Sequence, residues 1–443
     1  MLTLSESKEV KERYLKTLLV AELLFIISKE MEEVSFKLSR YKPGTYIVIE
    51  GDKISNEFYI IQEGSVRVFE TVDPIIRGTK EGTLLKKGDF FGVVSCMSQR
   101  SNMETAIANE ESLLLVVSRE NFGLLIQKSA PVAVKILRYF SKKLREYDST
   151  LTKLTFKTHS EEDPSHLFEI AEFYYSKKMF EQAAYAYKKY LEYCPDGGYA
   201  TNAKMRLASI DPMLVLSEPE VIEEKSVEKY HDGQIIFCEH EYGDKAYVIL
   251  KGNVRITKFV NGNEVLLAVL KEGDVFGEMA ILENKPRSAT ATAVGNVELL
   301  YIKKENFETM VHTKPEIGTK IIELLSDRIW VIYRQLANIV LKDPTARIYD
   351  AIMIQIEKNR VPIKPRESYT LNFTVEDLIK FLGYPIEEGK KYLKAVLDND
   401  KNITISSNGN ITIMDLEKLL KDVTFYKKKL LMDLKIQLSK TQK

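Results

Sequence analysis

The residues best suited to chemistry lie within one short run, Phe276-Gly277-Glu278-Met279-Ala280-Ile281-Leu282-Glu283-Asn284-Lys285-Pro286-Arg287-Ser288-Ala289. Gly277 allows a tight turn and a close approach of backbone to a ligand. Glu278–Leu282 has the composition of one short helical turn whose first amides can face an anion. Arg287 returns nine residues after Glu278, enough for that turn plus a loop closed by Pro286. Its guanidinium offers a fork of donors matched to the two free oxygens of a phosphodiester. Ser288 adds a hydroxyl and Ala289 an amide. Glu278 can only accept, which suits a sugar hydroxyl rather than a phosphate.

The run resembles the phosphate-binding cassette of the cyclic-nucleotide-binding domain family. Phe276, Gly277 and Glu278, then Pro286, Arg287, Ser288 and Ala289, carry the resemblance. The resemblance implies that Glu278 binds the ribose 2′-hydroxyl and that Arg287 and Ser288 hold the cyclic phosphate. It also implies backbone contacts at Gly277, Met279 and Ala289, with Phe276 and Ala280 flanking them. In the same family a residue of the long helix after the roll touches the purine, which here falls on Ile332 and Tyr333. Bacterial catabolite-activator relatives carry hydroxyl residues there, so adenine against guanine stays open. Cyclic AMP is taken as the ligand, bound by this copy only; a cyclic dinucleotide is not excluded.

An earlier stretch keeps the framework and loses the chemistry. Aligning Phe91-Gly92 with Phe276-Gly277 puts Val93 where Glu278 stands and Asn102 where Arg287 stands. A phosphate buried without a paired cation is expensive. Arg100 is two residues off, and Glu104 would repel an anion. The first copy therefore reads as a structural or dimerising roll that binds no cyclic mononucleotide, with another ligand left open.

Both cassettes need a scaffold, and the chain repeats it. Tyr41-Lys42-Pro43-Gly44 opens a β-patterned run that continues through Phe58–Val68. Tyr230-His231-Asp232-Gly233 opens another that continues through Tyr247–Ile256. Short β-branched and aromatic strands punctuated by glycine describe a β-roll. Helical periodicity then follows each copy, over Arg119–Leu151 and Lys304–Leu341. Between them, residues 160–210 read as a helical hairpin resembling one tetratricopeptide repeat. Its alternative is a helical spacer packed on a neighbour, since fewer than three repeats make no stable solenoid.

After Asp343-Pro344 the pattern changes. Thr374 caps a helix that ends at Gly383, Ile386–Leu397 is a second helix, and Asn408-Gly409 sits between Ile403–Ile405 and Ile411–Ile413 as a hairpin. This succession resembles the winged helix–turn–helix of the Crp/Fnr regulators, and the resemblance runs from about residue 216 to 423. It implies double-stranded DNA as a partner, with Thr374, Glu387, Lys390, Lys391 and Lys394 as contacts. Residues 343–424 hold 12 Lys+Arg against 13 Asp+Glu, so the module is not basic. Along the preceding helix, Ile322, Leu325, Ile329, Ile332, Leu336 and Ile339 form an a/d stripe. That stripe is read as a homodimer seam, or as a surface for the first copy's helix.

The expected class is α+β, in five parts: a degenerate roll (1–150), the spacer (151–215), the binding roll with its long helix (216–342), the winged module (343–423) and a basic tail (424–443). The whole chain of 443 residues has 64 Lys+Arg and 64 Asp+Glu. A formal charge of zero gives no global attraction for nucleic acid or anionic lipid. Cys96, Cys194 and Cys238 are too few and too scattered for disulfides or a metal centre, which fits a reducing compartment. Thr17–Ser28 is too short to span a bilayer and reads as an amphipathic helix; no export signal is seen, so the cytoplasm is expected. No acid–base pair, nucleophile set or metal cluster stands out. The expectation is a cyclic-nucleotide-responsive regulator that is not an enzyme and uses no cofactor. The alternatives are a sensor whose winged module binds protein, or a regulatory subunit of a separate enzyme.

Overall fold

The computed structural model describes residues 36–52, 55–156, 163–215, 218–260, 262–426 and 429. The expected helix at Thr17–Ser28 and nearly all of the basic tail lie outside them. Contacts divide the chain into two compact units. One takes the residues up to Val68 together with Thr83–Ile329; the other takes Phe69–Gly82 and the residues from Trp330 onward.

In the first unit, strands between residues 37 and 68 and between 83 and 118 form a roll of two four-stranded antiparallel sheets. Alternation of apolar residues along Glu57–Glu63 and Ser112–Ser118 places Tyr59, Ile61, Leu114 and Val116 in one core with Val48, Val66 and Phe91. The second roll is built around two long strands, Lys245–Val260 and Thr290–Lys303, which pair along most of their lengths. Tyr230, Phe237, Tyr247, Phe276 and Leu299 fill it. Bulges near Ile249–Asn253 bend the long strands so that each serves both faces of the roll.

Each roll is followed by two helices where the sequence shows one helical pattern. Phe122–Lys128 precedes Ala130–Phe156, and Lys304–Thr313 precedes Pro315–Val340. Pro131 and Pro315 are responsible. Proline has no N–H to donate to the preceding turn, yet fits the first turn of a new helix.

The segment between the rolls forms helices Leu167–Ser176, Phe180–Tyr193 and Ala200–Ala208. Their core, including Ala171, Tyr174, Ala183 and Tyr187, is shared with Ile235 and Cys238 of the second roll. Tyr174 donates to Glu264 at 2.9 Å and Gln182 to the carbonyl of Gly233 at 2.7 Å. These helices are a buttress of the second roll.

The a/d stripe is mostly covered. Ile322, Leu325, Ile329 and Leu336 are buried within a single chain, while Ile332 and Ile339 are half-buried. The part of this long helix that lies in the first unit meets the first roll. Asp327 is 3.1 Å from Arg100, and Glu323 is 2.5 Å from Arg119.

In the second unit, helices Pro344–Lys358, Val375–Leu382 and Ile386–Asn399 pack with a three-stranded sheet ordered Tyr369–Thr374, Asn410–Ile413, Ile403–Ile405. Thr374 and Asp377 form a reciprocal capping box at the start of the middle helix. Gly383 ends that helix at φ +70°, as its position in the sequence predicts. Among the described residues no helix is long and apolar enough to cross a membrane, and no group of His, Cys, Asp and Glu is placed to hold a metal ion.

Candidate functional site

The second cassette begins where strand Val275–Phe276 ends. Gly277 stands at φ +76° and starts the short helix Glu278–Glu283; Asn284, also left-handed, ends it. A side chain at Gly277 would be strained by its backbone and would press on the Arg287 guanidinium, with a Cβ 2.7 Å from Nη1. The loop Asn284–Pro286 then brings Arg287 back under the turn. Backbone bonds fix it there: Arg287 N–H donates to Glu241 O at 2.7 Å, and His240 N–H donates to Arg287 O at 2.9 Å.

Arg287 is buried. Its guanidinium lies over the Phe237 ring at 4.1 Å and donates from Nη1 to Gly277 O (2.6 Å) and from Nη2 to Lys245 O (2.8 Å). Its Nε, also buried, has no partner. Glu278 is 1% exposed; Oε1 accepts from Arg328 of the long helix at 2.8 Å, and Oε2 is buried without a partner. An unpartnered donor and an unpartnered acceptor, both buried, are costly unless something else satisfies them. A phosphate oxygen suits the first and a sugar hydroxyl the second, so the donor set fits a cyclic nucleotide.

Of the residues singled out from the sequence, Arg287 and Ser288 line a cavity of about 380 Å³. Glu278 does not line it, and Phe276, Met279, Ala280 and Ala289 are buried within the cassette. Ile332 and Tyr333, the expected base contacts, do not line it; Tyr333 is buried and both fall in the second unit's share of the long helix. The remaining lining includes Lys142, Arg145, His240 and Lys258, none of which sequence reasoning selected. No local signal could have found Arg145, because it comes from the first roll's helix. Arg328 was missed for a different reason: it is one charged residue on an amphipathic helix.

The electrostatics around Arg287 are those of a dry site. Burial, with His166 and Lys258 adding to it, pushes the imidazole of His240 down to about 3. Burial also pushes the Glu241 carboxyl up to about 7, against the opposing pull of Lys189 and Arg287. Tyr185 of the buttress donates to that carboxyl at 3.1 Å.

The first cassette has the same backbone and a different filling. Gly92 (φ +80°) and Gln99, both left-handed, bracket helix Val93–Ser98 as Gly277 and Asn284 bracket theirs. Val93 and Asn102 are buried where the acceptor and the cation would stand. The Glu104 carboxylate accepts from the Gly92 amide at 2.5 Å, so an internal acid already sits at the helix start. Arg100 is turned toward Asp327.

The DNA candidates are arranged as follows. Glu387, Lys390, Lys391 and Lys394 are exposed along helix Ile386–Asn399. Lys390 is 3.2 Å from Glu387, and Glu388 accepts from Tyr392 at 2.8 Å. Thr374 spends its hydroxyl on the capping box.

Comparison with known proteins agrees with the doubling. Residues 38–129 and 227–314 each match the profile of the cyclic nucleotide-binding domain. The CRP-like cAMP-activated global transcriptional regulator of Mycobacterium tuberculosis is 25% identical over 162 residues, 36% of this chain and 72% of that protein. The cyclic AMP receptor protein of Thermus thermophilus is 34% identical over 101 residues, 23% of this chain and 47% of that one. The cAMP-activated global transcriptional regulator of Salmonella typhimurium is 24% identical over 190 residues, 42% of this chain and 89% of that protein.

Proposed function

We propose that the second roll binds one cyclic mononucleotide, cyclic AMP in the first instance, and that the chain is a cytoplasmic, nucleotide-responsive transcriptional regulator rather than an enzyme. The observation that carries this reading is the pair of buried, unpartnered atoms on one cassette, Glu278 Oε2 and Arg287 Nε. The nucleotide would supply a phosphate to Arg287 and Ser288 and a ribose hydroxyl to Glu278. The hydroxyl would take Oε2 while Arg328 of the long helix holds Oε1, so the ligand and the long helix would share one carboxylate. A ligand shifts a conformational equilibrium only through contacts that differ between states, and this shared carboxylate would be such a contact.

The output side is read as a winged helix–turn–helix, with Thr374–Gly383 and Ile386–Asn399 as the helix pair and the hairpin at Asn408-Gly409 as the wing. The names of the related regulators support DNA as its target. In this geometry the start of the second helix meets base edges and its flanks meet phosphates. Glu387 would accept from a cytosine amine and Lys391 would reach a guanine, with Lys390, Lys394 and the wing on the backbone. Selection of random duplexes by the purified chain with cyclic AMP present tests this. A recovered site that Lys391→Ala abolishes supports a DNA regulator.

A second reading has an observation of its own. The exposed start of Ile386–Asn399 carries Glu387 and Glu388, and the former already occupies Lys390. Two carboxylates near phosphate oppose DNA and suit a protein partner with a basic face. Failure to enrich any duplex at low salt would favour that reading.

A further inference from the structure

The loop that presents Arg287 is held from outside its own roll. Arg145, on helix Ala130–Phe156 of the first roll, donates from Nη1 and Nη2 to Pro286 O at 3.2 and 3.3 Å. Its Nε lies 3.3 Å from Glu283 Oε2, and Ser141 donates to Glu283 Oε1 at 2.6 Å. Arg145 is 6% exposed and Ser141 fully buried. One guanidinium thus ties together the end of the cassette helix and the residue immediately before Arg287. The cavity lies where this helix faces Arg287 and Ser288.

The relation is reciprocal. The second roll's long helix meets the first roll's cassette loop through Asp327 and Arg100, as the first roll's helix meets the second cassette through Arg145. Each roll therefore has the other's helix across its cassette, within a single chain.

We propose that the first roll is the built-in partner of the second: through Arg145 and Ser141 its long helix positions the Glu283–Ser288 loop and closes the nucleotide site. The proposal rests on reading the second roll as a cyclic-mononucleotide site. Physically, a charged ligand group must be met within a few tenths of an ångström, and only a loop fixed at both ends offers that. The second cassette is tied down at Glu283 and Pro286 by residues about 140 positions upstream. This assigns a role to a roll that has lost its own binding residues: it completes a site it does not contain. It also gives the chain one composite site without a second copy.

The test uses the full-length chain and two readouts, calorimetry with cyclic AMP and amide hydrogen exchange of residues 283–289 without nucleotide. Arg145→Ala is expected to weaken binding at least tenfold and to speed exchange in that loop. Ser141→Ala, a smaller change that leaves the guanidinium in place, is expected to weaken binding about twofold to fivefold. The paired exchange Arg145→Glu with Glu283→Arg should recover much of the loop protection, whereas Arg138→Ala, which breaks an exposed pair with Glu308 nearby, should change neither readout. Wild-type affinity and wild-type loop exchange in both Arg145→Ala and Ser141→Ala would overturn the proposal. Faster loop exchange in Arg145→Ala, in a chain whose wild type binds no cyclic nucleotide, would instead overturn the ligand reading and leave the positioning role standing.

Discussion

The two rolls share a backbone and differ in how they satisfy it. Both place a left-handed glycine before a short buried helix, and both bring a loop back beneath it. In the first cassette, Glu104 takes the Gly92 amide and Arg100 takes Asp327, and only the neutral side-chain oxygen of Asn102 is left buried without a partner. In the second, Glu278 and Arg287 each keep a buried atom without a partner. A fold can thus retain its geometry while losing its ligand, provided an internal carboxylate takes over the donors that an anion would have met. What separates the cassettes is charge: the second leaves buried atoms of a carboxylate and a guanidinium unpartnered, the first an amide oxygen, and unsatisfied charged groups cost more.

Removing the cation should break this contrast most completely. Arg287→Ala is expected to cost about 2–5 kcal/mol of nucleotide binding, tens to thousands of fold, because a buried charged group on the ligand loses its partner. Titration by calorimetry measures it, and an unaffected affinity would mean that the second cassette is as closed as the first.

The buried Glu241 carboxyl offers a pH signature for the second roll. Its value of about 7 lies above that of a solvated carboxyl, so the folded chain keeps a proton that the unfolded chain has lost. The associated stability is present in full below about pH 4.5 and is lost as pH rises through about 7. The free energy of unfolding from denaturant titrations should therefore fall between pH 5 and 8, by on the order of a few kcal/mol. Glu241→Gln should flatten that dependence; an identical slope in the variant would place its origin elsewhere.

The first roll should respond in stability rather than in binding. Glu104→Ala leaves the Gly92 amide buried without its acceptor and is expected to cost about 1–3 kcal/mol in thermal or denaturant unfolding. Nucleotide stoichiometry should not move. A second bound nucleotide in this variant would show that Glu104 alone was keeping the first site shut.

The smallest effect concerns Arg328. Its side chain is 41% exposed, so its pair with Glu278 is partly screened. Arg328 holds Glu278 Oε1, so Arg328→Ala should loosen the carboxylate that offers Oε2 to the ribose and lower calorimetric affinity about twofold to fivefold; a gain in affinity would make Arg328 a competitor of the ligand instead.

Much of this was legible from residue order. Glycine and β-branched spacing revealed two rolls, and Phe-Gly-Glu followed by Pro-Arg-Ser-Ala located the cassette. Thr374, Gly383 and Asn408-Gly409 marked the ends of the last helices and the hairpin. Local chemistry fixes those features. What was not legible is non-local. The a/d stripe of Ile322, Leu325, Ile329 and Leu336 announces a packed helix, but periodicity does not say whether the cover comes from another chain or from this one. Arg145 and Arg328 read as ordinary helix-surface cations until the fold carries them to the cassette. The apolar period continues across Pro131 and Pro315, so periodicity alone does not show the breaks there.

The most direct measurement is the number of cyclic mononucleotides bound per chain, from calorimetry of the full-length protein with cyclic AMP and, in parallel, cyclic GMP. One site per chain is predicted, abolished by Arg287→Ala and untouched by Asn102→Ala in the first roll. Two equivalent sites per chain, or one that survives Arg287→Ala, would contradict the division of labour between the rolls.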